Sequence, residues 1–263
     1  MSDPLSTPTA AEPPAQGWWS RSGWLVVLLV AGALALVVFP FDGPIGAAIA
    51  RFGASLKGDL RREMFAWQQY GQGLFYLVLT LVIWQIDPLR RRRLLDLLLI
   101  VGLAKLISQS AKMFIGRPRP RPYFNDPQTL LGPMGKYPVP TQDGSWRLVH
   151  AWQDGSADLW SMPSSHTIFA FAASAFITRL YPRLGLVVWP LALLVGLCRV
   201  LFDAHWPTDV IVGAGVGYAI GTLVTGRYLG VRLLDAIWVR LVDRTAGPAY
   251  PALRDAELAS RRP

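Results

Sequence analysis

The chain holds one cysteine, Cys198, which excludes an internal disulfide and any metal site built from several thiolates. Histidine is nearly as scarce, with three copies at positions 150, 166 and 205. Charge is short too: 16% of residues are charged, against about 25% in ordinary soluble proteins. The charge present is short of acid, with 26 basic residues to 17 acidic ones. A net charge of +9 could suit nucleic acid, but the basic residues form no single patch and instead punctuate the apolar runs.

Those runs dominate the rest, since 52% of the residues are hydrophobic. Trp24 to Phe39 contains no charge, and Leu74–Ile86, Leu94–Ala111, Ile168–Ile177, Leu184–Cys198 and Val210–Thr225 follow. A bilayer core needs roughly 17–25 mostly apolar residues per helix, which several runs reach once their semi-polar ends are counted. Six such runs would leave a soluble protein little to cover its surface. The expectation is an all-α polytopic membrane protein with six transmembrane helices in one bundle. The first run ends in "VVFPFDGP" without a small-x-small cleavage pattern, so it reads as a retained span and not a secretory signal.

Arg90–Arg93, then Arg179 and Arg183, then Arg227, Arg232, Arg240 and Arg244 flank alternate runs, the pattern of cytoplasmic connections. This places both termini inside a bacterial-type plasma membrane. Arg51, Lys57, Arg61 and Arg62 in the first outer connection blur the bias. Residues 1–22, rich in Pro, Ala, Ser and Thr, read as a disordered cytoplasmic N-terminus, and 23–227 as the membrane domain. Residues 43–70 suit a short amphipathic helix on the outer face. The long connection 113–162, with "RPRPRP" and Trp146, Trp152 and Trp160, suits an ordered outer cap at headgroup level. In the tail, 228–263, Leu234, Ile237, Trp238 and Leu241 share a face, as in a helix lying on the inner membrane surface, and 247–263 should fray. Gly213, Gly217 and Gly221 recur every four residues, which suits close packing of two membrane helices.

Three polar clusters lie at the outer ends of these runs. "KMFIGRPRP" gives Lys112, six residues, then Arg119 and Pro120; Arg117 and Arg121 are close alternatives. "MPSSHT" gives Pro163, Ser164, Ser165 and His166, and "GLCRVLFDAHWPTDV" gives Arg199, His205 and Asp209. Each alone is unremarkable, because basic residues beside spans are usually interfacial anchors. The topology from the arginine bias nevertheless gathers all three on one face.

Lys112, Arg119 and Arg199 call for a multiply charged anion, and phosphate suits the planar fork of arginine. Pro163 and Ser164 read as a helix start that would aim the N–H groups of Ser165 and His166 at that anion. Ser164 could cap the helix or bond a phosphate oxygen. If the chain is helical there, Asp209 can hold one ring nitrogen of His205 and leave the other for attack. His166 can give a proton to a leaving group. His150 and Asp203 receive no chemical role. Lys105, two turns below Lys112, should face the bundle interior, as a structural pair or along a headgroup pocket. No His/Asp/Glu cluster offers metal ligands, so neither metal nor cofactor is expected.

The pattern K-x6-R-P, then P-S-x-H, then R-x5-H-x3-D resembles the type 2 phosphatidic acid phosphatase superfamily, whose site pattern the vanadium haloperoxidases share. The resemblance covers about residues 70–225. It implies a six-helix bundle and metal-independent phosphoryl transfer through a phosphohistidine. Lys112, Arg119, Arg199, Ser164 and the Ser165 amide would then bind phosphate. His205 would be the nucleophile, His166 the general acid and Asp209 the partner orienting His205. Ser165 stands where the family has glycine, and Cys198 where it has serine. The substrate would be a lipid phosphate or diphosphate in the bilayer, with no nucleic acid or protein partner required. A phosphotransferase and a non-catalytic anion binder or transporter are the alternatives. The sequence does not choose among polyprenyl diphosphate, phosphatidic acid, phosphatidylglycerol phosphate and lipid A phosphates.

Overall fold

The structure, a computed structural model, describes residues 18–120, 127–153 and 156–260. Most of the expected disordered N-terminus, and Arg121, lie outside the described residues. From Trp18 the chain is already helical. Helices α1 (Trp18–Val38), α2 (Asp42–Ser55), α3 (Gly58–Trp67), α4 (Gly73–Ile86) and α5 (Leu94–Ile115) precede a hairpin of β1 (Lys136–Pro140) and β2 (Trp146–His150). Helices α6 (Ser165–Leu180), α7 (Gly185–Leu201), α8 (Pro207–Arg227), α9 (Leu229–Leu241) and α10 (Tyr250–Ala259) follow.

By length and composition, four segments among the described residues can cross a membrane: Ser22–Ser55, Pro88–Ile115, Pro182–Leu201 and Pro207–Arg227. Two of the six expected spans are shorter. α4 is a largely apolar helix of 14 residues and rises about 21 Å at 1.5 Å per residue, less than a hydrocarbon core of about 30 Å. α6 has 16 residues, and from Thr167 to Leu180 most side chains are buried. A helix sheathed by protein need not be long or greasy enough to satisfy lipid, which explains its runs of alanine.

The core forms where α6 meets α8. A β-carbon on Gly217 would lie 2.2 Å from the Ile168 carbonyl oxygen, one on Gly221 2.6 Å from that of Ala172, and one on Gly213 2.8 Å from that of Ser164. The glycine stripe therefore brings two backbones into contact, as its spacing predicts. Gly217→Ala is expected to lower stability by about 1–3 kcal/mol, the usual cost of overpacking. Gly226→Ala, in the same helix with nothing within 4 Å of its added methyl, should be neutral or stabilising. Thermal unfolding in detergent compares the two, and equal midpoints would contradict the packing.

Three expectations are corrected here. The chain is mostly helical as expected, but the long connection is not strand-free: it contains the antiparallel β1–β2 hairpin, with Lys136 opposite His150 and Pro140 opposite Trp146. The stretch expected to form one amphipathic helix is two helices, α2 and α3, and α2 continues the first apolar helix through a 3-10 turn at Phe39–Phe41. The tail does not fray from 247, because α10 buries Leu253 and Glu257. Tyr228 donates to Glu257 at 2.8 Å, and Arg93 reaches the same carboxylate at 3.3 Å. In α9, Leu234, Ile237, Trp238 and Leu241 are exposed.

Candidate active site

The three sequence clusters meet at one end of the bundle. α5 delivers Lys112 in its last turn and stops at Gly116, whose left-handed φ of 58° lets its N–H return to the Lys112 carbonyl. The following strand-like segment runs beside the start of α6: Arg119 donates its N–H to the Asp158 carbonyl at 2.8 Å, and Ser161 donates to that of Arg117 at 3.1 Å. α7 carries Arg199 in its last turn, and the Arg199 carbonyl accepts the N–H groups of Ala204 and His205 at 3.0 and 3.1 Å. That turn, with exposed Asp203 at a φ of 52°, tucks His205 beneath Arg199. His166 feels the charges of Arg199, His205, Lys112 and Arg119 together.

His205 is buried, and its Nδ1 lies 2.6 Å from the carbonyl oxygen of Ser161. A carbonyl only accepts, so Nδ1 carries the proton and the lone pair sits on Nε2. Burial lowers the pKa of His205 to about 4, against the pull of Asp209 and helped by Arg119 and Arg199, so the ring is neutral. The expected direct bond from Asp209 to His205 is not formed. The Asp209 carboxylate stands 3.7 Å from Nδ1, beyond hydrogen-bond range, because α8 starts at Pro207 and Asp209 occupies its third position. There it accepts the Trp206 N–H at 2.9 Å and the Ser161 hydroxyl at 2.5 Å. Asp209 thus acts on His205 through Ser161 and through charge.

Arg117 is not a free phosphate ligand. It is fully buried, pairs with Asp209 at 2.7 Å and Asp42 at 2.6 Å, and donates to Thr208 Oγ1 at 2.7 Å. Asp42 also accepts the Thr208 N–H at 2.9 Å, so the hub ties α2 to the start of α8. These carboxylates are consumed by Arg117, and no carboxylate pairs with Lys112 or Arg199 among the described residues. The Nε of Arg199 is buried without an acceptor.

Ser164 holds the N-cap position of α6, but its hydroxyl does not cap; it accepts from Thr167 at 2.9 Å. Its own proton is left for another acceptor. The N–H groups of Ser165 and His166 belong to the first turn and have no intrahelical acceptor. Ser165 is helical with negative φ, so a side chain is tolerated where glycine was the family residue, and its hydroxyl meets Ser108 at 2.6 Å. Cys198 is buried against Met64 and Leu201 in a packing role. His150 lies in the hairpin, bonded to the Gly135 carbonyl at 3.0 Å and stacked on Trp152.

Two carboxamides escaped the sequence reading. The 3-10 turn Gln68–Gly71 reaches the site because Gly71 lies against the His166 carbonyl, where a β-carbon would come within 2.4 Å. Gln68 accepts from Arg199 at 2.6 Å, and Gln72 meets His166 Nε2 at 2.9 Å. Among the described residues, no group of three or more His, Cys, Asp or Glu side chains could hold a metal ion. A cationic cradle around one neutral, buried imidazole, at the end of an apolar helical bundle, is suited to holding a phosphate and attacking its phosphorus.

This is a helical membrane protein, and comparison with known proteins gives its family. Residues 93–229 match the PAP2 superfamily, and the chain belongs to that superfamily. It is 25% identical over 217 residues to a lipid A 1-phosphatase of Rhizobium johnstonii, covering 76% of this chain and 81% of that one. The fold is that of two crystal structures. One is a PAP2-type phosphatidylglycerolphosphate phosphatase from Bacillus subtilis (TM-score 0.53, 21% identity, 81% of this chain and 98% of that one). The other is Aquifex aeolicus LpxE (TM-score 0.50, 20% identity, 70% of this chain and 94% of that one).

Proposed function

We propose that this protein is an integral-membrane phosphatase that hydrolyses a lipid phosphate or diphosphate through a phosphohistidine, without a metal ion. The observation that carries the reading is the bond from His205 Nδ1 to the Ser161 carbonyl, which leaves the Nε2 lone pair facing a cluster of cations. The names of the relatives from Rhizobium johnstonii and Bacillus subtilis support a lipid phosphate as substrate.

Lys112, Arg119, Arg199, the Ser164 hydroxyl and the N–H groups of Ser165 and His166 hold the peripheral oxygens and stabilise their charge in the transition state. His205 Nε2 attacks phosphorus as the bond to the leaving oxygen breaks, and His166, protonated once the bound phosphate offsets the surrounding cations, gives that oxygen its proton. The positive charge gained by the imidazole is offset by Asp209 and the Ser161 carbonyl. Water then attacks the phosphohistidine, gives a proton to His166, and releases inorganic phosphate.

The arginine-flanked connections support a topology with both termini in the cytoplasm and the site at the outer face. α4 and α6 complete six spans, the hairpin segment forms the outer cap, and α9 lies on the inner surface. Purified protein in detergent should release phosphate from at least one of a panel of lipid phosphates with a strong chelator present, and vanadate should inhibit. Activity lost to chelator and restored by magnesium would overturn the metal-free step; phosphorylated acceptor without free phosphate would make the protein a transferase.

A further inference from the structure

α5 carries one polar stripe through an apolar helix. Lys105, Ser108, Gln109 and Lys112 stand at i, i+3, i+4 and i+7, and so share a face. Ser108 and Lys112 are buried at the site, and Gln109 is half-buried. Lys105, expected in the bundle interior, is instead exposed, and no carboxylate or carbonyl partners it among the described residues. At 1.5 Å per residue it lies about 10 Å from Lys112 toward the middle of the span. An unpartnered ammonium at that depth is costly and needs a reason.

Beyond Lys105 the same face continues through Val101, Leu98 and Leu94. With Tyr76, Leu77 and Thr80 of α4 they line an apolar crevice of about 390 Å³. Along one face of α5 the order is therefore phosphate cradle, lone cation, apolar crevice. That is the order of a lipid whose scissile phosphate is followed by a second anionic group and then by its tail.

We propose that Lys105 is a second anion-binding subsite, holding a phosphate on the tail side of the scissile one, with the tail in the α4–α5 crevice. The inference rests on the lipid phosphatase reading and narrows its substrate class. Two sources share this chemistry: the inner phosphate of an isoprenoid diphosphate, and the bridging phosphodiester of phosphatidylglycerol phosphate. Phosphatidic acid has no such group.

The test compares full-length wild type, Lys105→Met and Lys105→Arg in detergent, each shown to be monodisperse with an unchanged unfolding midpoint. Phosphate release is measured from the isoprenoid diphosphate, phosphatidylglycerol phosphate, phosphatidic acid and a lipid A phosphate. A lost charge-assisted hydrogen bond should lower the efficiency ratio of a two-phosphate lipid over phosphatidic acid by about tenfold or more in Lys105→Met. The loss should appear in KM, and Lys105→Arg should restore most of it. Whichever two-phosphate lipid shows the drop names the source. An unchanged ratio for both, with active wild type, would overturn the subsite alone. Release by wild type from a lipid A phosphate but from none of the other three would overturn the subsite alone, and release from none of the four would overturn the phosphatase reading with it.

Discussion

His205→Ala should release no phosphate above background from any substrate and form no phosphoenzyme, whereas His166→Ala should fail selectively. His205 supplies the electron pair that attacks phosphorus, so every substrate needs it whatever group departs. Its Nε2 is available because Nδ1 is committed to the Ser161 carbonyl at 2.6 Å, and the buried ring stays neutral at working pH. His166 has a narrower task, the protonation of the departing oxygen. An alkoxide from a lipid monophosphate leaves poorly without that proton, and general acid assistance contributes typically 10²–10⁴-fold. His166→Ala should lose about that factor on a lipid monophosphate and much less on an activated aryl phosphate, where a phosphoenzyme burst should appear. Rapid-quench measurement with labelled phosphate reads both variants, after each is shown to be folded in detergent. A burst retained by His205→Ala and abolished in His166→Ala would reverse the two roles.

The parts of the site that local sequence could reveal are those whose meaning lies within one short segment. Lys112 and Arg119 straddle a helix stop at Gly116, Pro163–Ser164 start a helix, and Arg199, His205 and Asp209 lie in and beside one turn. Helix periodicity and cap chemistry carry such information. Contacts between distant segments were hidden. Gln68 meets Arg199 across 131 positions, Gln72 meets His166 across 94, and Arg117 meets Asp42 across 75. Nothing local distinguishes those glutamines from surface polar residues, and "RPRPRP" offers three arginines of similar surroundings.

Two errors had physical causes that were partly visible. The hairpin is not legible in the sequence because Pro138 and Pro140 sit inside β1, where proline normally argues against a strand. α10 is hard to read from sequence because it is short and follows Gly247 and Pro248, although Leu253 and Glu257 share a face at i and i+4. Asp209 illustrates a subtler limit. Spacing put it near His205, but Pro207 as first helical residue turned its carboxylate to the Trp206 N–H and the Ser161 hydroxyl.

Arg117→Met is expected to be among the most destabilising single substitutions in the chain. Its guanidinium is fully buried and pairs with two carboxylates that are themselves buried, Asp42 and Asp209. Methionine fills most of the volume but leaves both anions without a countercharge. Removing one partner of a buried pair costs about 3–5 kcal/mol, a large fraction of a typical total of about 5–15 kcal/mol. Activity should fall with it, because Asp209 then loses one of the groups that aim its carboxylate beside His205. Thermal unfolding in detergent gives the first readout. The double variant Arg117→Met/Asp42→Asn separates this role from phosphate binding. Neutralising one stranded anion should recover part of the lost stability. If Arg117 bound phosphate, Arg117→Met would unfold at the wild-type midpoint with a raised KM, and Asp42→Asn would add nothing to it.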